Sequence, residues 1–232
     1  MELIGIIGAM DQEVRQLADE IVGKTILKKA GMEFIEGELC GKQVVVVVSG
    51  IGKVNAGICT QILADVFEVD CVINTGVAGS LRNEINIGDI VVSTDAVQHD
   101  MDVVPLGYKP GQIPGLPSLA FKADEKLVEL ACEICRKENP DIQVFKGRVA
   151  SGDQFISDKE TKDRIIGTFD ASCAEMEGAS IAQAAVLNGI PYVVLRAISD
   201  KADGSAHMDY PAFEQMAIKH SINLVHGMLR SL

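Results

Sequence analysis

A single α/β domain with a mixed, twisted central β-sheet flanked by helices is predicted for this chain, and three observations predict it. Short apolar runs alternate with helical patterns almost from end to end. Several of those runs are dense in valine and isoleucine without polar alternation, as in strands buried on both faces. No repeat, linker or low-complexity stretch divides the 232 residues, a length that one core can hold.

The elements follow in order. Leu3–Ile7 is an apolar run that predicts a first strand, and the polar segment from Asp11 predicts a helix. Met32–Leu39 alternates apolar and polar residues, Gln43–Val48 is rich in valine, and Gly41-Lys42 between them predicts a hairpin. Ser49 to Lys53 forms a loop into a helix that reaches about Phe67. Cys71–Asn74 is a buried strand, with Thr75 to Ser80 as a glycine-rich turn after it, and Ile90–Ser93 is another strand. The stretch 99–120 is rich in glycine and proline and has no period, so it is expected to be a long loop. Loops of that length in a compact domain are often functional. Asp124 to Glu138 places Leu127, Leu130, Ala131 and Ile134 on one helical face. Gly147–Ser151 is a strand, and Lys159–Ile166 a helix. Met176–Asn188 is a helix stopped by Gly189, and Tyr192–Ile198 is a central strand. Pro211 is expected to open the last helix.

Composition narrows the function. Lys plus Arg number 21 against 33 Asp plus Glu, a net charge of −12, which argues against nucleic acid or an anionic membrane as partner. The first eight residues lack a basic region before their apolar run, so no secretory signal is expected, and no apolar stretch approaches the roughly 18 residues of a membrane span. The six cysteines are scattered, which suits buried reduced thiols and a cytoplasmic protein.

Several motifs are weak. Ser49-Gly50-Ile51-Gly52-Lys53-Val54 resembles a P-loop, but Val47 stands where its first glycine belongs and Val54 where Ser or Thr belongs. Cys132 and Cys135 lack the two further ligands of a zinc site, and the cluster around His99, Asp100 and Asp102 has no partner motif; no metal or cofactor is expected. The small residues of Thr75 to Gly79 either let backbone N–H groups approach a ligand or simply make a tight turn.

Three acidic segments carry more weight: Gly8 to Glu13, Glu175-Met176-Glu177-Gly178, and Arg196 to Asp200. Each falls where a strand ends or a helix begins, and such carboxylates gather at one crevice in an open α/β sheet. Two or three carboxylates without an evident metal suit glycosidic bond cleavage, one as base and another as acid. The bland alternatives are plain. Asp11 and Glu13 could simply favour a helix dipole. Glu175 and Glu177 cannot share a helical face, so one would face the pocket and the other would be structural or solvated. Asp200 ends an almost wholly apolar strand, which makes a raised pKa plausible.

Taken with Gly5 to Met10, Ser49 to Lys53, Asn74-Thr75-Gly76 and Ser151 to Ile156, these segments resemble the 5′-methylthioadenosine/S-adenosylhomocysteine nucleosidase family of the nucleoside phosphorylase superfamily. The resemblance covers essentially the whole chain. It implies a nucleoside phosphorylase-like fold and hydrolysis of an N-glycosidic bond, releasing adenine and a 5-thio-substituted ribose. By matching position, Glu13 is implied as the base that activates water and Asp200 as the acid that protonates adenine N7, with Ser199 orienting it. Glu177 is implied to hold the ribose hydroxyls, with Met176 packed on the sugar; Glu175, Ala78 and Gly79 belong on the same substrate side. Phe155 is implied to stack on adenine while the backbone of Ile156 reads its edge. Met10, Ile51 and Tyr210 are implied at the 5′ side. The neighbouring subunit's Val103–Pro114 loop, with Val103, Leu106 and Pro114, is implied to complete an apolar pocket, hence a homodimer. Leu106 stands where some bacterial members have an aromatic residue, Val77 where some have serine, and Ser80 where glycine is frequent. Three rivals remain: a phosphate-using phosphorylase, a 6-amino-6-deoxyfutalosine hydrolase, and a nucleoside-binding protein without activity.

Overall fold

Each valine- and isoleucine-rich run becomes a strand, and the intervening helical patterns cover the sheet. The computed structural model describes residues 1–232, apart from the side chains at 207 and 208. The chain begins β1 (Leu3–Gly8), α1 (Asp11–Glu20), β2 (Val22–Lys29), β3 (Met32–Leu39), β4 (Lys42–Val48) and α2 (Lys53–Asp65). It continues β5 (Cys71–Ser80), β6 (Ile90–Gln98), β7 (Phe121–Lys122), α3 (Glu125–Glu138), β8 (Val144–Ser151) and α4 (Lys159–Phe169). It ends β9 (Cys173–Glu175), α5 (Gly178–Leu187), β10 (Tyr192–Asp200) and α6 (Ala206–Ser231).

Two groups of strands run in opposite directions. β1 lies parallel to both β4 and β5, and β10 lies parallel to β5. β6 is antiparallel to β10, and β8 and β9 follow the direction of β6. β9 then returns to β5, pairing Ala174 with Gly79 and Cys173 with Ser80. Since β5 bonds to both β9 and β10, the strands β5, β10, β6, β8 and β9 close into a ring, while β2, β3 and β4 extend from β1 as a wing. Ring closure removes two sheet edges and brings the ends of β1, β5, β9 and β10 together. The core lies on both sides of this layer. Ile4, Ile6, Val45, Ile73, Val193 and Leu195 are wholly buried. Each such side chain contributes about 1.5–3 kcal/mol relative to exposure.

The structure departs from expectation at four places. The segment Thr75 to Ser80 is not a turn but the second half of β5, because β10 and β9 supply hydrogen-bond partners as far as Gly79 and Ser80. The helix expected from Met176 starts at Gly178, because Cys173–Glu175 is a short strand. Pro211 lies inside α6 rather than opening it, since the helix begins at Ala206. β2 has no apolar alternation to announce it; all its residues are exposed and it pairs only with β3. The 99–120 loop is present, with a single 3-10 turn at Val104–Leu106. No helix is long and apolar enough to cross a membrane among the described residues.

Candidate active site

The converging strand ends form an apolar crevice of about 90 Å³, whose walls include Met10, Glu13, Ile51, Val77, Ala78 and Gly79. Opposite them stand Phe155, Glu175, Met176, Glu177, Ser199, Asp200 and Tyr210. Sequence reasoning did not single out Ala9 and Ala174 among the lining residues, and both are too small to leave a chemical signature. Ile156, expected to act through its backbone, is not among the residues lining the crevice, and its side chain is buried in a small apolar cluster with Leu81, Val97 and Phe169. Val103, Leu106 and Pro114 do not line this chain's own crevice.

Glu13 is the third residue of α1, and its geometry explains why a helix-capping acid is also a candidate base. Its Oε2 accepts from the N–H groups of Ala9 (2.7 Å) and Met10 (2.9 Å), which the helix start leaves without partners. Its Oε1 accepts from the N–H of Val77 at 3.2 Å. Burial pushes the carboxyl above its ordinary range, against the pull of Arg196 and these three donors.

Asp200 closes β10 with both oxygens held. Oδ1 accepts from the N–H of Ala202 (2.8 Å) and Oδ2 from the hydroxyl of Ser199 (2.9 Å). Burial is again the largest influence and raises its pKa.

Gly76 and Gly79 serve these two acids. A methyl group at Gly76 would stand 2.5 Å from Arg196 Nη1 and 2.7 Å from Glu13 Oε1; at Gly79 it would stand 2.7 Å from Asp200 Oδ1. The small residues of β5 therefore make room for side chains of the protein itself. Three residue steps of extended strand separate the two glycines, roughly 10 Å.

Glu175 and Glu177 both line the crevice, but they are held differently. Glu175 is an anchor. Its Oε2 accepts from Arg196 Nε at 2.9 Å and from the N–H of Gly178 at 2.8 Å, and its Oε1 accepts from the hydroxyl of Ser151. Arg196 also donates to Asn74 Oδ1 at 2.7 Å, and Asn74 in turn donates to the carbonyl of Ile7 at 2.9 Å. Arg196 is thus an organiser within an apolar strand, a role that spacing did not reveal. Removing one partner of such a buried pair commonly costs about 3–5 kcal/mol, because the other charge is left uncompensated. Glu177 is less committed: Oε1 accepts from the N–H of Gly52 at 2.9 Å, while Oε2 lies 3.8 Å from Arg196. Burial, followed by the neighbouring Glu175, pushes its carboxyl up to about 7.

The remaining side chains shape the walls. Tyr210 donates to Glu214, its hydroxyl lies 3.5 Å from Met10 Sδ, and its ring meets Phe155 edge-on at 6.1 Å. Ser80, where glycine is frequent in the resembled family, places its hydroxyl on the carbonyls of Arg82 (2.7 Å) and Ile85 (3.1 Å). A larger polar groove lies elsewhere, but its cations Arg82, Lys146 and Arg148 are paired with Asp170, Glu129 and Asp95. Among the described residues no three His, Cys, Asp or Glu side chains gather where they could hold a metal ion.

A ring-closed α/β sheet with a carboxylate-lined crevice at its strand ends is the class of protein at hand, and the family model described as the phosphorylase superfamily matches residues 3–230. A 5′-methylthioadenosine/S-adenosylhomocysteine nucleosidase of Bacillus cytotoxicus is 44% identical over 99% of both chains. The solved nucleosidase of the same name from Neisseria meningitidis, in complex with methylthio-immucillin-A, is 36% identical with a TM-score of 0.95 and full coverage of both chains. A futalosine hydrolase of Helicobacter pylori is also 36% identical, with a TM-score of 0.94 over 100% of this chain and 98% of that one. The chain belongs to the 5′-methylthioadenosine/S-adenosylhomocysteine nucleosidase family of this superfamily.

Proposed function

We propose that this protein hydrolyses the N-glycosidic bond of 5′-methylthioadenosine and S-adenosylhomocysteine to adenine and the 5-thio-substituted ribose, as a step of methionine salvage. One observation carries this: of the four buried carboxylates that line the apolar crevice, three, Glu13, Glu177 and Asp200, are each fixed by their own N–H donors. Glu13, when ionised, takes a proton from water on one side of the sugar. Asp200, when protonated, gives one to the purine ring, so that adenine leaves neutral. Glu177 holds ribose hydroxyls beside Met176. The sugar passes through an oxocarbenium-like state that the nearby carboxylates stabilise. Attack and departure on opposite faces imply inversion.

Water is favoured over phosphate because the crevice lining contains no Lys or Arg among the described residues. Arg196 is committed to Glu175 and Asn74, and Glu13 would repel a phosphate dianion. Full adenine release from methylthioadenosine in phosphate-free buffer is expected. Release only after phosphate is added would make the protein a phosphorylase. The shared fold with a futalosine hydrolase makes 6-amino-6-deoxyfutalosine the comparison substrate, and its preferential cleavage would move the assignment to that activity.

The working unit in this reading is a homodimer in the cytoplasm; the six unpaired thiols suit a reducing compartment. On α2, Val54 and Ile58 are exposed one turn apart, with Ile51 just before them and Val186 and Leu187 of α5 also uncovered. Leu106 is 74% exposed at the tip of the 3-10 turn, where a partner's 5′ pocket would receive it together with Val103 and Pro114. Sedimentation should give twice the 24.8 kDa chain mass, and Val54→Glu with Ile58→Glu should shift it to the single chain and lower activity. A monomeric, fully active wild type would contradict this arrangement.

A further inference from the structure

Two loops carry opposite walls of the crevice, one through Ile51 and the other through Phe155, and they are fastened together from behind. Lys53, the first residue of α2, is the hub. Its N–H donates to Asp153 Oδ1 at 2.8 Å, and its ammonium donates to Asp100 Oδ1 at 2.6 Å and to Gln98 Oε1 at 3.1 Å. Asp100 closes the cycle by accepting the N–H of Asp153 on its Oδ2 at 2.9 Å. The carbonyl of Lys53 is held in turn by the hydroxyl of Ser180 at 2.6 Å. The cycle touches the site at two points. Gly52, one residue before Lys53, donates to Glu177, and Phe155 lies two residues beyond Asp153.

We propose that Lys53, Asp100 and Asp153 form a positioning clasp that sets the Ile51 and Phe155 walls and the Glu177 carboxylate at the spacing a bound nucleoside requires. The inference rests on the nucleosidase reading and adds to it residues that touch no substrate, since none of the three lines the crevice. The pair is shielded enough to matter: the Lys53 and Asp100 side chains are only 19% and 18% exposed. Water therefore screens them less than an ordinary surface ion pair. Burial would push the Asp100 carboxyl up, but the Lys53 ammonium and the Asp153 N–H hold it below its ordinary value. The Asp153 carboxylate also sits at the start of α2, where the helix favours negative charge.

Glu13 and Asp200 are held by other groups, so the clasp acts on binding and leaves the proton transfers alone. Asp100→Asn and Lys53→Gln should each raise KM for methylthioadenosine on the order of tenfold, with kcat within about threefold of wild type. Lys53→Arg should recover most of the loss, and the double variant Lys53→Gln/Asp100→Asn should be little worse than either single one, because both break the same cycle. Adenine affinity, read by calorimetry, should weaken in parallel and does not depend on turnover. An unchanged KM and adenine affinity in both single variants would overturn the clasp, as would a loss confined to kcat or to the folded fraction. Should one variant fail to fold, the other carries the test. A wild type that releases no adenine would count against the nucleosidase reading instead, leaving adenine affinity to judge the clasp.

Discussion

Replacing Asp200 with Asn is expected to lower kcat for adenine release by on the order of 10²- to 10⁴-fold while the protein stays folded. The carboxamide keeps the size of the side chain; its single oxygen can still accept from the N–H of Ala202, and its NH2 can donate to the Ser199 hydroxyl. It cannot deliver a proton to a leaving purine. The leaving group must then depart as an anion from an apolar pocket, where no solvent stabilises it. Rapid-quench measurement of adenine formation in a single turnover isolates this step from product release. Substrate affinity should change far less than the rate. A loss smaller than about tenfold would remove Asp200 from its role as the acid.

The second large effect is expected on the opposite side of the sugar. Glu13→Gln should lower kcat by a similar factor, on the order of 10²-fold or more, because the amide cannot take a proton from water. The substitution has a second reading, which the structure allows to be separated. Oε2 accepts two N–H groups at the start of α1, and the amide oxygen of Gln can still accept them. Stability should therefore fall modestly, and a melting curve distinguishes a dead but folded enzyme from a damaged one. The pH dependence has a defined sign. In the proposed mechanism Glu13 acts ionised, so activity is expected to fall as pH drops through its folded pKa, which burial raises above the ordinary 4.5. Asp200 acts protonated in the same mechanism, so activity is expected to fall as pH rises through its own pKa, also raised by burial from 3.8. The profile of kcat/KM is then bell-shaped, with both limbs displaced upward from those of free carboxyls. A flat profile through the acid range in a stably folded protein would count against this pair.

Much of the framework was legible before any coordinates. β1 and β4 announce themselves as apolar runs and β10 as one interrupted by Arg196, since they are buried on both faces and need no alternation. β9 was not legible, because three residues are too short for any period and its last residue is a buried acid. β2 was not legible for the opposite reason: exposed along its whole length, it has no apolar face to mark it. The glycines of β5 looked like a turn because the same residue type serves turns and close approach. Only the neighbouring Glu13, Arg196 and Asp200 reveal which use applies.

The site was readable in part. Spacing brought the acids to strand ends but could not say which of Glu175 and Glu177 is committed to a buried cation. That depends on Arg196, a buried cation whose partners lie 21 and 122 residues away in the chain. The Lys53 cycle was hidden in the same way, with its members 47 and 100 residues from the hub. Long-range polar pairs of this kind leave no periodic trace, and they are what gives the crevice its shape.

The central claim is that water, and not phosphate, attacks the sugar opposite a protonated Asp200. Turnover of methylthioadenosine in oxygen-18-labelled water, with phosphate removed, tests it most directly. The expected product is adenine together with a methylthioribose carrying the label at its anomeric oxygen. No adenine without phosphate, and a sugar phosphate formed when phosphate is restored, would contradict it.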